Sequence, residues 1–152
     1  MTSDQMASIT NATYFHLLTK FKTPYISPSA FAGMTVQADW FAGSAQLSAA
    51  QAAQIPAEGI GYFEPGHIKQ FSDEVFGAFS GEQVSALTPE AFDFGFVPID
   101  EFSADGVSGI TGAQMVKINN GTDFHNMSKL HMGQLSTDAV AAMTVQTGWI
   151  SG

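Results

Sequence analysis

Four histidines, His16, His67, His125 and His131, are the first residues to weigh for metal or acid–base chemistry. A helical zinc site needs two of them three or four apart beside a carboxylate, so that both rings share one helix face. His125 and His131 are six apart with no acid between them, and His67 stands alone. All four read as structural or solvent-facing, and no metal is expected on them. A serine nucleophile would need a strained turn such as G-x-S-x-G, which is missing. The run Gly106–Gly112, GVSGITG, has neither the lysine nor the spacing of a phosphate loop, and reads as a small-residue turn where backbones come close. Among the carboxylates, Asp100, Glu101 and Asp105 form the densest group. They are the one place where calcium, which takes oxygen ligands, is a candidate cofactor. With no cysteine there are no thiolate ligands, thiol nucleophiles or disulfides. Nucleophile, base and orienting group do not fall together anywhere, so the chain is not expected to be an enzyme.

Those residues sit in a chain of 152 residues with 45% hydrophobic content, enough for one domain to bury a core. Fourteen carboxylates against five lysines and no arginine give a net charge of −9. Such a surface repels phosphate, which excludes nucleic acid as a partner. No run of about twenty apolar residues occurs, so no membrane insertion is expected. The opening MTSDQMASIT has no basic stretch followed by an apolar one, so no signal peptide is expected in this chain. An acidic, cysteine-free composition rich in Ser, Thr, Gly and Gln suits an exported protein at an extracellular or cell-surface location.

The stretch Glu64–Phe96 shows what must position every side chain. Cut every eight residues, it repeats one unit: a small polar or turn-forming opener, then apolar residues at the fourth and seventh positions after it. Examples are Ile68 with Phe71, Phe76 with Phe79, and Val84 with Leu87. From Ser48 the octads run on with one deletion near Gly95 and one insertion near Asn120, and such a period is an internal repeat. Apolar residues three apart share a helical face, whereas a strand would want spacing two. Ser and Thr openers cap helix N-termini. Four of them complete a capping box with Gln three residues on: Thr2/Gln5, Ser48/Gln51, Ser80/Gln83 and Thr111/Gln114. Acids in the first turn favour the helix dipole, and Pro89 suits the first helical position. Helices this short do not persist alone. The expectation is therefore an all-α solenoid or compact superhelix of very short capped helices, stabilised by neighbours. The alternative is a β-solenoid in which the glutamines form ladders.

Two regions are expected, residues 1–47 with irregular units and residues 48–152 with the regular stack, in one continuous domain. The second unit reads as opening at Thr10, with Tyr14 and Leu17 as its apolar pair. Gly43–Gln54 is the candidate joint. Phe94 and Phe96 are surplus to the repeat and flank Gly95, where the register breaks; Trp40/Phe41 and Trp149/Ile150 fall out of phase. These aromatics either seal the stack or offer an apolar patch. Phe94, Phe96, Trp40 and Trp149 are the candidate interface residues.

Units such as SGEQVSAL-TPEAF and STDAVAAM-T resemble the degenerate LT-x-EQ-V-x-AL octad repeats of large exported or surface-associated bacterial proteins. The resemblance covers most of Ser48–Thr144 and TSDQMASIT. It implies a surface, adhesive or assembly role and carries over no catalytic residue. The expected function is a structural or adhesive repeat module, self-assembling or binding another protein. The alternative is a small-ligand or glycan-binding module that uses exposed aromatics. Asn11-Ala-Thr, Asn120-Gly-Thr and Asn126-Met-Ser match the glycosylation acceptor pattern.

Overall fold

Short capped helices account for nearly all regular structure. In the computed structural model, residues 1–34, 41, 43–93 and 95–143 are described, and among them there are only α- and 3-10 helices and no strand. The α-helices are α1 Ser3–Ala7, α2 Ala12–Lys22, α3 Ala49–Ala52, α4 Ala57–Ile60, α5 Pro65–Ile68 and α6 Asp73–Gly77. They continue as α7 Gly81–Ala86, α8 Pro89–Asp93, α9 Ala104–Ser108, α10 Gly112–Met115, α11 Gly121–His131 and α12 Thr137–Ala141. Short 3-10 turns over Thr23–Tyr25, Pro28–Gly33, Ser44–Gln46, Ile99–Glu101 and Met132–Gln134 fill the gaps. The fold is all-α, as the three-residue apolar spacing predicts.

All four predicted capping boxes form. In each, the opener's side chain accepts the Gln backbone N–H while the Gln side chain accepts the opener's, which satisfies two orphan donors at once. Asn11, Ser103, Asn120 and Ser136 cap through one side-chain oxygen each. Ser72 is different: it makes no cap bond, and its hydroxyl instead bonds the Glu74 carboxylate and lowers that group's pKa. Thr88, ahead of Pro89, has an Oγ1 that is buried without a partner.

Helices pack on helices about three octads away, which resolves them into three columns. One column runs α1, residues 28–33, α3, α6, residues 99–101, α11. A second runs α4, α7, α9, residues 132–134, and the third residues 44–46, α5, α8, α10, α12. One core cluster extends from Met6 to Ala139 across both expected regions. The helix α3, inside the predicted joint, packs on residues 28–33 and belongs to a column.

The apolar pairs fill this core: Ile60 with Phe63, Phe76 with Phe79, Val84 with Leu87, and Val107 with Ile110 are all buried. Phe rings thread it in a chain of contacts, tilted at Phe15–Phe41 and edge-to-face beyond. Phe15 meets Phe41, Phe41 meets Phe63, Phe63 meets Phe71, Phe71 meets Phe76 and Phe79, and Phe76 meets Phe102, with centroids 5.4 to 6.2 Å apart. Each such pair adds about 0.5–1.5 kcal/mol beyond its burial. Phe41, out of phase in sequence, is a central link of this chain and 1% exposed.

The second unit departs from its predicted register. Asn11, not Thr10, caps α2, and its side chain accepts the Tyr14 N–H at 3.1 Å. That one-residue shift turns Phe15 and Leu18 inward and leaves Tyr14 and Leu17 exposed. Gly95, at the register break after α8, has φ +63°, a left-handed conformation that glycine adopts without strain.

Candidate functional surface

Three buried glutamines join one turn of the stack to the next. Gln51 Nε2 donates to Thr23 O and Ile26 O at 2.8 and 2.7 Å. Gln83 Nε2 donates to Ala52 O and Ile55 O at 2.9 and 2.6 Å. Gln114 Nε2 donates to Val84 O and Leu87 O at 2.8 and 2.7 Å. Each of these side chains is at least 96% buried, so every bond is made out of water. Their Oε1 atoms remain in the capping boxes, at 2.9 Å from the opener N–H. A single amide thus caps its own helix and closes the end of an earlier one. Ala52 directly follows Gln51, and Val84 follows Gln83, so each join is built beside the last. The octad explains why: glutamines about four units apart in a stack of three units per turn step from column to column.

Two carboxylates make a second kind of join. Asp105 Oδ2 accepts the Gly81 N–H at 3.0 Å, and Asp138 Oδ2 accepts the Gly112 N–H at 2.7 Å. Each acid lies in the first turn of its own helix and also caps the first turn of the helix one layer back. Glycine is required there, because a Cβ on Gly109 would stand 1.9 Å from Gly81 O. This is the close backbone approach expected of GVSGITG. An open cleft of about 420 Å³ runs alongside, lined by Glu82, Ser85, Asp105, Ser108, Thr111 and Asp138 among others.

The calcium expectation is not supported by this arrangement. Asp105 faces Gly81, while Asp100 Oδ2 accepts from Asn126 Nδ2 at 3.1 Å, and Asp100 and Glu101 line a different cleft. Among the described residues, no three His, Asp or Glu side chains gather where a metal ion could sit. That second cleft, about 430 Å³, is lined by Asp100, Glu101, Asn126, Lys129 and Leu130. Beside it, burial first and then the charges of Asp100 and Glu101 push the Asp123 carboxyl above its ordinary pKa. Spacing had hidden this group, because Asp123 reaches the other two only through packing of α11 on residues 99–101.

Among the described residues, exposed apolar side chains gather on α2 and the turn after it. Tyr14, Leu17, Phe21 and Tyr25 are 71%, 47%, 60% and 83% exposed. Spacing of three and four places Tyr14, Leu17 and Phe21 on one face of α2, and Tyr25 follows in the 3-10 turn. Lys20 lies 5.5 Å from the Phe21 ring and Lys22 5.9 Å from that of Tyr25, and these are the only two lysines of the first 68 residues, which hold no arginine. The sequence had assigned Tyr14 and Leu17 to the core; the Asn11 cap was the signal that could have found the stripe.

Of the predicted interface residues, Trp40, Phe94 and Trp149 lie outside the described residues. Phe96 is half-buried, with Lys69 Nζ 5.5 Å from its ring centroid, a cation–π contact. His67 packs against Phe63, and its Nδ1 is buried without a hydrogen-bond partner. His16, His125 and His131 lie on the long helices α2 and α11. Asn11 and Asn120, both in acceptor triplets, are helix caps. No helix among the described residues is long and apolar enough to cross a membrane. Comparison with family models, with curated proteins and with solved structures gives no match.

Proposed function

We propose that this chain is a non-catalytic structural repeat module of an exported or cell-surface protein. It works by holding and presenting surface, and it associates with copies of itself or with another protein. The observation that carries the reading is the bidentate glutamine join at Gln51, Gln83 and Gln114, which uses repeated parts to add each turn to the previous one. A stack closed this way is extensible, because every turn offers the same carbonyls to the next. Light scattering over a range of protein concentrations tests it. The expected result is a mass that grows with concentration, and growth lost in a Tyr14→Ser/Leu17→Ser/Phe21→Ser variant of unchanged helicity. A constant monomer mass at every concentration would exclude self-association.

A second reading, a small-ligand or glycan-binding module, draws on the exposed rings of Tyr14 and Phe21 on α2 and of Tyr25 in the turn after it, beside Lys20 and Lys22. Aromatic rings of this kind suit sugar stacking. It predicts saturable change in intrinsic fluorescence with one member of a sugar panel, and flat titrations throughout would exclude it.

A further inference from the structure

Residues 1–43 and 110–152 are two copies of one sequence. At a constant offset of 109, 18 of 43 positions are identical, from Thr2/Thr111 and Gln5/Gln114 to Trp40/Trp149 and Gly43/Gly152. The local structures agree through the first three elements, and differ in the fourth, a 3-10 helix over Pro28–Gly33 and an α-helix over Thr137–Ala141. The capping boxes Thr2/Gln5 and Thr111/Gln114 match, as do the Asn-capped helices α2 and α11 of eleven residues each. Each of the two helices is followed by a 3-10 turn, Thr23–Tyr25 and Met132–Gln134. In both copies the first helix packs on the element after that turn, α1 on residues 28–33 and α10 on α12. The chain therefore repeats this segment with a period of 109 residues, so that residues 1–109 are one unit.

The two copies differ in what covers them. The second copy sits on the layer before it: Gln114 bonds Val84 and Leu87, Asn126 bonds Asp100, and Ile110 is 1% exposed. The first copy presents the equivalent positions to solvent, with Gln5 exposed, Met1 43% and Tyr14 71% exposed. At the opposite face the difference reverses. Phe31, under α3, is 0% exposed, whereas its counterpart Val140 is 48% exposed. Each copy thus shows which face of the other is built to be covered.

We infer that the open face of the first copy, formed by Met1, Gln5, Ile9, Tyr14 and Leu17, is a joining surface for a second copy of the 109-residue unit. The occupant is that copy's segment equivalent to Ser80–Glu101, seated as the same segment already seats α10 and α11. Gln5 Nε2 would then donate to the second copy's carbonyls at the positions of Val84 and Leu87. Tyr14, where the second copy carries half-buried Asp123, would lie against the apolar stack instead of water. This inference rests on the self-association reading above and specifies its partner and register.

The test is a fused chain, residues 1–109 followed directly by the complete 152-residue chain, compared with the 152-residue chain alone. If the face is a joining surface, amide exchange in α1 and α2 of the complete-chain part slows by at least about tenfold, and the fusion unfolds in one transition. Gln5→Ala in that part then lowers the melting temperature of the fusion while leaving that of the single chain almost unchanged. Unchanged exchange in α1 and α2, or two separate transitions, overturns the inference. Failure here alongside concentration-dependent mass of the single chain would leave the self-association reading standing and reject only this partner and register.

Discussion

Gln83 Nε2 lies 2.6 Å from Ile55 O while its Oε1 takes the Ser80 N–H at 2.9 Å, so one buried amide fastens two layers of the stack. At the end of the α3 turn, Ala52 O takes one bond from the Ile55 N–H at 3.1 Å and has a lone pair left, while Ile55 O has no donor from its own turn. Their bonds to Gln83 replace the water they lose on burial, and this is why the side chain is 4% exposed despite being polar.

Truncating that amide should therefore be costly. Gln83→Ala leaves the buried Ile55 carbonyl and the Ser80 N–H without partners and Ala52 O with its turn bond alone, and a loss of about 3 kcal/mol in unfolding free energy is expected. Gln5→Ala removes only an exposed cap bond and should cost about 0.5 kcal/mol. Urea unfolding of both variants measures the difference. Equal losses would remove the interlayer bonds as its source.

Backbone contact between layers gives a second prediction. Gly109→Ala would bring a methyl group to 1.9 Å from Gly81 O, whereas a Cβ on Gly66 meets nothing within 4 Å. Gly109→Ala should destabilise by about 3 kcal/mol as the backbones separate. Gly66→Ala, within α5, should be neutral or stabilising by up to about 1 kcal/mol. Thermal unfolding of the pair reads both, and a tolerated Gly109→Ala would contradict the close approach.

The ring chain predicts a specific weak point. Phe41 touches Phe15, Phe31 and Phe63, with centroids 5.6 to 6.3 Å away. Phe41→Ala should cost about 3–5 kcal/mol, the usual range for an enclosed phenylalanine. Phe21→Ala, at a 60% exposed ring, should fall within about 0.5 kcal/mol of the parent. Denaturant titration distinguishes a core Phe41 from one that merely seals the surface.

Acid dependence follows from Asp123. Its folded pKa is raised, so the folded protein binds that proton more tightly than the unfolded chain does. The group's penalty is absent below the ordinary aspartate value of 3.8 and grows as pH rises through the higher folded value. Asp123→Asn should stabilise at pH 7 by on the order of a few tenths of a kcal/mol, solvent screening keeping the effect small. The gain should vanish at pH 3. A gain of the same size at both pH values would assign it to packing.

Much of this was legible in the order of residues. Ser80 three before Gln83, and apolar Val84 and Leu87 behind them, are enough to specify a capped helix and its buried face, since both depend on neighbours within one turn. The same local logic read Phe76 and Phe79 correctly as core. It misread Tyr14 and Leu17, because Thr10 and Asn11 are adjacent capping residues and a one-residue choice between them rotates the whole apolar face. It also allotted glutamine to either boxes or ladders. In the folded chain Gln51, Gln83 and Gln114 form the boxes and no ladder, and their Nε2 groups bond backbone carbonyls instead, an outcome that depends on where a carbonyl some thirty residues away comes to rest. Likewise Asp105 and Asp100 are close in sequence yet face different clefts, and Asp123 joins Asp100 and Glu101 from another layer. Sequence alone determined the helices and their caps, which are local hydrogen-bond problems. Only the tertiary structure decided which groups meet, because three octads per turn set the distances between them.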